Sequence, residues 1–394
     1  MIRACLFGTY NAAHPANRLL ADALTAAGCE LRVCHEPLWE RTRDKMPSFF
    51  GTRSLAGLGW AYLGAAWRLR RSWRQGPRPD LVVAGFNGQL DVLLARLLAG
   101  RRARLVFAPL VTLTETLVDD RRVYRRSGFK GRLAAALDRR TLEVPQLVLL
   151  DTEAHRAYVA ERLTARARTA TLYLGAERNF TPAPPRARRP GEPLRVLFYG
   201  QYVPLHGTRV IVEALALVGA NQGVELTMIG TGPDRAAAEG LANERGCTHI
   251  GFEDWVPYEH LPRRLAECDV ALGIFGLTPK AQMVIPTKVY QAAAVGRAIV
   301  TGDTRAVREI FRPGEHLLAV PRGEPGALAD ALRRLRDVPE LAPRLGTAVA
   351  RLMAENLDRA AQGERMRTLL VSVFPDLAVR LVPAPTLFAA PATP

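Results

Sequence analysis

Leu194-Arg-Val-Leu-Phe-Tyr199 runs into Gly200-Gln-Tyr-Val-Pro-Leu-His-Gly207, which runs into Thr208-Arg-Val-Ile-Val-Glu-Ala-Leu-Ala-Leu-Val218. The order is an apolar β-rich run, a glycine-bounded loop and an amphipathic helical pattern, the opening unit of a parallel α/β sheet. Immediately upstream, residues 175–193 carry five prolines and two glycines and interrupt every periodic pattern, as an interdomain linker does. Outward from there, Leu226 to Ile229, Val270 to Gly273 and Ala298 to Val300 read as further buried strands. On the other side of the break, Cys5 to Phe7, Leu81 to Ala84, Leu105 to Phe107, Leu147 to Leu150 and Thr171 to Leu174 do the same. The expected fold is α/β, with two doubly wound, Rossmann-like parallel-sheet domains facing across a cleft. The expected boundaries are 1–176, a linker at 177–193, a second domain at 194–372, and a Pro/Ala-rich tail at 373–394, whose final segment, Leu381 to Pro394, is expected to have no packed role. Ligands of open α/β sheets bind outside the carboxyl ends of the strands, so the site should be shared between the halves.

Composition supports a folded two-domain chain. The 394 residues are 48% hydrophobic and 23% charged, which excludes wholesale disorder. Five cysteines without a C-x-x-C pair write neither a disulfide framework nor a four-thiolate zinc site. The expectation is a reduced, cytoplasmic protein, because Met1 to Leu6 runs straight into a strand-like segment without a signal-peptide pattern. The longest uncharged stretch, Ser54 to Trp67, is 14 residues and falls short of the roughly 20 that span a bilayer. Net charge is +16, and residues 1–190 hold 32 Lys and Arg against 16 Asp and Glu, so the whole excess lies in the first half. Such a surface attracts polyanions: anionic lipid, nucleic acid or phosphorylated substrates. No helix-turn-helix, RNA-recognition or zinc pattern accompanies it, which makes nucleic acid an unlikely partner. Arginine supplies 50 of the 54 basic residues, so codon bias accounts for part of the charge as an alternative.

Two loops of the second half suit a phosphate. Gly200 to Gly207 bounds a strand-to-helix turn whose bare amides could face an anion, and Gly230-Thr-Gly232 follows the next strand. Either glycine pair could equally serve turn geometry alone. The segment Gly273-Ile-Phe275-Gly276-Leu-Thr-Pro-Lys280 leads to Pro286-Thr287-Lys288-Val-Tyr-Gln291-Ala-Ala-Ala-Val-Gly296. Here Thr287 reads as an N-cap and Gly296 as the C-terminal stop. Lys288 then opposes the helix dipole in the first turn, which makes sense if an anion such as a diphosphate shares that end. The chain has four lysines, and Lys280 and Lys288 both fall in this segment. Two solvated lysines would be the plainer account.

These residues resemble the donor domain of GT-B glycosyltransferases, the large retaining family 4. The similarity covers residues 194–340 well and is looser over 1–175. It implies that Gly200, Gln201, His206, Gly207, Gly230, Gly232, Phe275, Gly276, Pro286, Thr287 and Gln291 lie at a nucleotide-sugar. Gln201 and His206 stand where the family has an arginine and a lysine on the donor diphosphate. Gln291 replaces the glutamate that holds the ribose, and Met283 lies where its partner glutamate would be. The resemblance then implies that the diphosphate role is either weakened or passes to Lys280 and Lys288. No Asp/His metal cluster is written in the second half, so no metal or other cofactor is expected.

In the first half, Gly8-Thr-Tyr-Asn-Ala-Ala-His14-Pro-Ala-Asn17 leaves the first strand toward the cleft, and the resemblance implies that this loop meets donor or acceptor, with Gly8 at the donor. Thr114-Glu115, Asp119-Asp120-Arg121 and Asp151-Thr-Glu-Ala-His155 follow two later strands to the same edge. His14 and Asp120 are candidates for proton transfer, and Asn17, Arg121 and Asp151 for the acceptor. A loop histidine and a helix-capping Asp151 are the alternatives. Trp60, Tyr62, Trp67 and Trp73 mix with Arg68, Arg70, Arg71 and Arg74 on one helical stretch, Leu55 to Trp73. That composition suits an anionic headgroup interface, or else a helix packing its tryptophans inward. The expected function is transfer of a sugar from a nucleotide-sugar to a glycan or lipid-linked acceptor, peripheral on the inner face of the cell membrane. A nucleotide-sugar epimerase of the same architecture and a non-catalytic nucleotide-sugar-binding subunit are the rivals.

Overall fold

The computed structural model describes residues 1–38, 52–101, 103–186, 188–189 and 191–381, apart from the side chains of 52–56 and 58. Leu55, where the Trp/Arg segment begins, and tail residues 382–394 therefore lie outside the described side chains or residues. The first sheet comprises β1 (Ile2–Gly8), β2 (Cys29–His35), β3 (Leu81–Ala84), β4 (Arg104–Phe107), β5 (Leu147–Leu150) and β6 (Thr169–Thr171). The second comprises β7 (Leu194–Tyr199), β8 (Val224–Ile229), β9 (Ile250–Glu253), β10 (Val270–Leu272), β11 (Ala298–Gly302) and β12 (Leu318–Val320). Their orders are β2-β1-β3-β4-β5-β6 and β12-β11-β10-β7-β8-β9, every pairing parallel. The molecule is thus two Rossmann-like domains.

All nine sequence-predicted strands exist, with β6 lying two residues earlier than read. The three that the sequence did not announce, β2, β9 and β12, are all sheet edges. An edge strand is covered on fewer sides, so it can be short or carry charge, as Cys29-Glu-Leu-Arg-Val does in β2.

Strand order fixes where ligands go. The order reverses between β1 and β3 in the first sheet and between β7 and β10 in the second. At such a switch point neighbouring loops diverge and leave a crevice at the carboxyl edge. The loops that leave β1, β7 and β10 are the ones the sequence singled out.

Two boundaries are corrected. The helix Arg359–Val373 follows the second domain in sequence but packs on the first, where Met366 and Leu370 join a core with Ile2, Leu20, Leu24 and Leu147. Phe374, Leu377 and Leu381 continue that packing, so the tail is structural up to Leu381. Their spacing carried the signal, and the neighbouring prolines hid it. The linker is also fastened: Phe180 is buried, and Arg186 bonds Asp269 (Nε–Oδ1 3.0 Å) and Glu192 (2.7 Å).

Candidate active site

β7 ends at Tyr199, and Gly200 turns the chain with φ +141°, where an added Cβ would stand 3.0 Å from the Lys288 ammonium. The short turn Pro204–His206 follows, and Gly207, left-handed at φ +64°, starts the helix Thr208–Val218 without a side-chain cap. Beneath, the chain leaving β10 is clipped to this loop: Phe275 N–H donates to His206 O (3.1 Å) and Gly276 N–H to Leu205 O (3.2 Å). Phe275 is therefore core, fully buried with Phe198 and Tyr202, and offers no wall to a ligand. Gly230 and Gly232 let the neighbouring loop lie directly against the backbone of Gly200 and Tyr202.

Lys288 is the centre of this edge. It lies in the first turn of the helix Thr287–Val295, whose stop is Gly296, left-handed at φ +77°. Thr287 is not the N-cap: Pro286, held extended by its ring, occupies that position, and no side chain caps the helix. The Lys288 ammonium is buried, makes no hydrogen bond to the described residues, and stands 3.9 Å from the centre of the Phe198 ring. Burial drives its pKa well below 10.5. His206 presses its ring edge on Phe198 and donates from Nδ1 to the Gln201 carbonyl. Burial and the Lys288 charge push the His206 pKa well down, so its imidazole is neutral. The Gln201 side chain is exposed. A buried amine with no anionic partner is costly, and the cost falls when an anion enters.

Gln291, one helical turn further, is fully engaged. It accepts from the Tyr199 hydroxyl (2.8 Å) and donates to Glu177 Oε2 (3.0 Å) and to the Tyr258 hydroxyl. Glu177 comes from the linker, accepts from the Tyr258 hydroxyl (2.7 Å) and pairs with Arg18 (2.9 Å). The carboxylate missing at 291 is thereby present 3.0 Å away on another segment. A single sequence could not reveal this, because Glu177 lies 114 residues upstream.

Lys280 has a different partner from the one expected. Its ammonium lies 3.2 Å from Glu115 Oε1 and 3.2 Å from the Thr116 hydroxyl, both in the first domain. Glu115 Oε2 meets His155 Nε2 at 3.1 Å, and His155 Nδ1 meets Asp151 Oδ1 at 2.7 Å. The result is a buried row, Asp151–His155–Glu115–Lys280, that joins the two domains and already matches the Lys280 charge. Asp151 serves this row rather than a helix cap. The cap of the helix Glu153–Tyr158 is Thr152, which accepts from His155 N–H (3.0 Å) and donates to the Met283 carbonyl across the cleft. Glu309 closes the same seam by accepting from the amides of Glu153 and Ala154, each at 2.7 Å.

The row gives a pH dependence. Burial alone would lower the His155 pKa, but Glu115 and Asp151 raise it from 6.5 to about 10. Burial alone would raise that of Glu115, but Lys280 and His155 lower it from 4.5 to about 2. The stabilisation from His155 is complete below 6.5 and is lost as pH climbs through about 10. The Glu115 contribution is complete above 4.5 and is lost as pH falls through about 2. The melting-temperature gap between wild type and His155→Gln should accordingly be constant below pH 6.5 and narrow as pH climbs toward about 10. A gap that widens beyond pH 8 would contradict the row.

The remaining first-domain candidates frame the cleft. His14 caps the helix Pro15–Ala26, accepting from Ala16 N–H at 3.2 Å, and its ring lies 4.4 Å from that of Phe86. Asn17 braces the loop after β3, accepting from Phe86 N–H (2.8 Å) and donating to the Asn11 carbonyl (2.9 Å). Gly8, at φ +137°, lets the β1 loop pass against Asp91, which takes the Thr9 N–H at 2.7 Å. Asp120 is buried, and burial raises its pKa. Arg121 beside it is lowered by burial against the pull of Asp120.

Residues 193–337 match the family described as glycosyl transferases group 1, and residues 11–175 match the glycosyl transferase 4-like domain. The chain belongs to the GT-B, family 4-like glycosyltransferases. This glycosyltransferase is 25% identical to the alpha-D-kanosaminyltransferase of Streptomyces kanamyceticus over 43% of its own length and 44% of that protein. That match spans less than half of the relative. It is 26% identical to the 2-deoxystreptamine N-acetyl-D-glucosaminyltransferase of Streptomyces fradiae, over 86% and 82% of the two chains. Sucrose-phosphate synthase from Thermosynechococcus elongatus shares its fold with a TM-score of 0.73 at 16% identity, covering 95% of this chain and 100% of that one. Anabaena HepE in complex with UDP and glucose gives 0.68 at 14% identity, covering 94% and 100%.

Proposed function

We propose that this glycosyltransferase moves a sugar from a nucleotide-sugar donor to a glycan or lipid-linked acceptor, with Lys288 receiving the donor diphosphate. The observation that carries this reading is the Lys288 ammonium, buried at the β7/β10 switch point without a hydrogen-bond acceptor. Diphosphate supplies that acceptor, favours the charged form of the lysine against the burial that disfavours it, and leaves with the negative charge that develops as the sugar departs. Neutral His206, whose Nδ1–H goes to the Gln201 carbonyl, can only accept through Nε2 beside it and adds no charge. Because Lys288 and loop amides meet the leaving group, the reading needs no metal ion, and excess EDTA should leave turnover unchanged. Retention of anomeric configuration, a place on the inner membrane face, and proton or acceptor contacts at Asp120, Arg121 and His14 belong to the same proposal. Solved complexes of HepE with UDP and UDP-glucose support a donor of this class.

Glu177 and Gln291 together form the ribose end. The Glu177 carboxylate keeps acceptor capacity for a diol hydroxyl, while Gln291, whose two amide hydrogens go to Glu177 and Tyr258, holds that carboxylate in place. Glu177→Gln should raise the donor KM by about 10- to 150-fold with a smaller change in kcat, since a hydrogen bond to a charged group contributes about 1.5–3 kcal/mol. An unchanged KM would remove Glu177 from the ribose.

The whole reading is tested by incubating each common nucleotide-sugar with membrane-derived and soluble acceptors and quantifying released nucleoside diphosphate. Acceptor-dependent release is expected. Conversion of donor without acceptor would make the protein an epimerase. Binding without consumption would favour the non-catalytic subunit, which the engaged Gln291 and the exposed Gln201 support.

A further inference from the structure

The helices Thr52–Arg74, Gln89–Ala99 and Phe129–Glu143 lie side by side on one face of the first sheet. Their inner residues Leu69, Val92, Ala95 and Leu142 enter the core under that face, while helix Pro15–Ala26 covers the other. Their outer residues are unusual. Trp60 (76% exposed), Leu63 and Trp67 (64%) point outward from the first helix. Leu90 and Leu97 do so from the second, and Phe129 (81%) and Leu133 from the third. Large apolar side chains this exposed on three adjacent helices form a patch that a solvated surface rarely keeps.

The charges on the same helices have one sign. Arg70, Arg71 and Arg74 are exposed on the first helix, and Lys130, Arg132, Arg139 and Arg140 on the third. Thr52–Arg74 contains no acidic residue. Asp91 and Asp138 face inward and are buried, and Glu143 is occupied by the Thr164 hydroxyl at 2.6 Å. Cations around exposed indole and phenyl rings match an anionic bilayer surface, where the rings settle at the headgroup level. A second copy of the chain would set two cationic faces against each other, which disfavours self-association there. No described helix is long and apolar enough to cross a membrane, so the face would lie on the bilayer rather than within it.

We propose that the outer face of these three helices docks the protein on an anionic lipid bilayer. The docked face is wired to the cleft. Tyr62, on the same helix as Trp60 and Trp67, donates its hydroxyl to Asp91 (3.1 Å), and Asp91 holds the Thr9 amide of the β1 loop (2.7 Å). Seating the helix on lipid therefore fixes the acceptor side of the cleft at the membrane surface. This goes beyond the donor assignment and does not depend on it.

The test is co-sedimentation of the full chain with vesicles of phosphatidylcholine, with and without phosphatidylglycerol, at low and high salt. Wild type should sediment with phosphatidylglycerol vesicles at low salt, and its tryptophan fluorescence should be quenched by brominated lipid. Trp60→Ser/Trp67→Ser should weaken partitioning about tenfold or more, and Arg70→Glu/Arg71→Glu/Arg74→Glu should abolish the preference for phosphatidylglycerol. These side chains are exposed, so both variants should keep the wild-type melting curve. Wild type that ignores phosphatidylglycerol, or variants that partition like wild type, would overturn the proposal. So would a wild-type dimer that Trp60→Ser/Trp67→Ser dissolves.

Discussion

Lys288→Met is expected to cut glycosyl transfer by about 10²–10³-fold while leaving the ligand-free protein as stable as wild type or more so. The two effects share one cause. The Lys288 ammonium is buried over Phe198 with no hydrogen-bond acceptor, and burial holds its pKa well below 10.5. A depressed amine pKa means that the unfolded chain binds protons which the folded chain does not, so below 10.5 the residue works against folding. Methionine keeps the length and the contact with the aromatic ring but removes the desolvation cost. A residue that only filled space would show the opposite pattern: a lower melting temperature with turnover intact. Steady-state kinetics and a melting curve on the same preparation distinguish the two.

Glu115→Gln should be the most destabilising single change in the cleft. Glu115 is wholly buried and faces Lys280 from the second domain and His155 from the first. Removing its charge strands the Lys280 ammonium without a counterion and leaves His155 with Asp151 alone, and breaking a buried pair costs about 3–5 kcal/mol. Against a total stability of roughly 5–15 kcal/mol, the melting temperature should fall by about 10 °C. Because the row spans both domains, the loss should also loosen them and raise the donor KM. Adding Lys280→Met to Glu115→Gln should recover part of the loss, since one stranded cation is then gone. Equal melting temperatures for wild type and Glu115→Gln would mean that the row is not a stabilising link.

The central strands were legible because they are buried on both faces and read as continuous apolar runs, as Leu147 to Leu150 does. Edge strands β2, β9 and β12 escaped because one side of each needs no apolar neighbour. The loop geometry at the β7 edge was legible in the same way: Gly200 and Gly207 turn the chain with positive φ, and Lys288 stands in the first turn of its helix. What the sequence could not show was pairing across the fold. Lys280 looked like a second cation for the diphosphate until Glu115, 165 positions earlier, took its charge. The same holds for Gln291, whose amide donates to the Glu177 carboxylate from 114 positions earlier. Thr287 was misread because Thr is a good cap and Pro286 before it fits the position by backbone geometry alone.

The most direct test is calorimetric titration of UDP, GDP, ADP, TDP and their common sugar conjugates into wild type and Lys288→Met, repeated in two buffers of different ionisation enthalpy. If Lys288 receives the diphosphate, one nucleotide class binds wild type with net proton uptake in the alkaline range below 10.5, as the buried amine regains its charge. Lys288→Met then loses both that uptake and most of the affinity. Binding of equal strength to the two proteins, with no difference in proton uptake, would contradict the assignment of the donor site to Lys288.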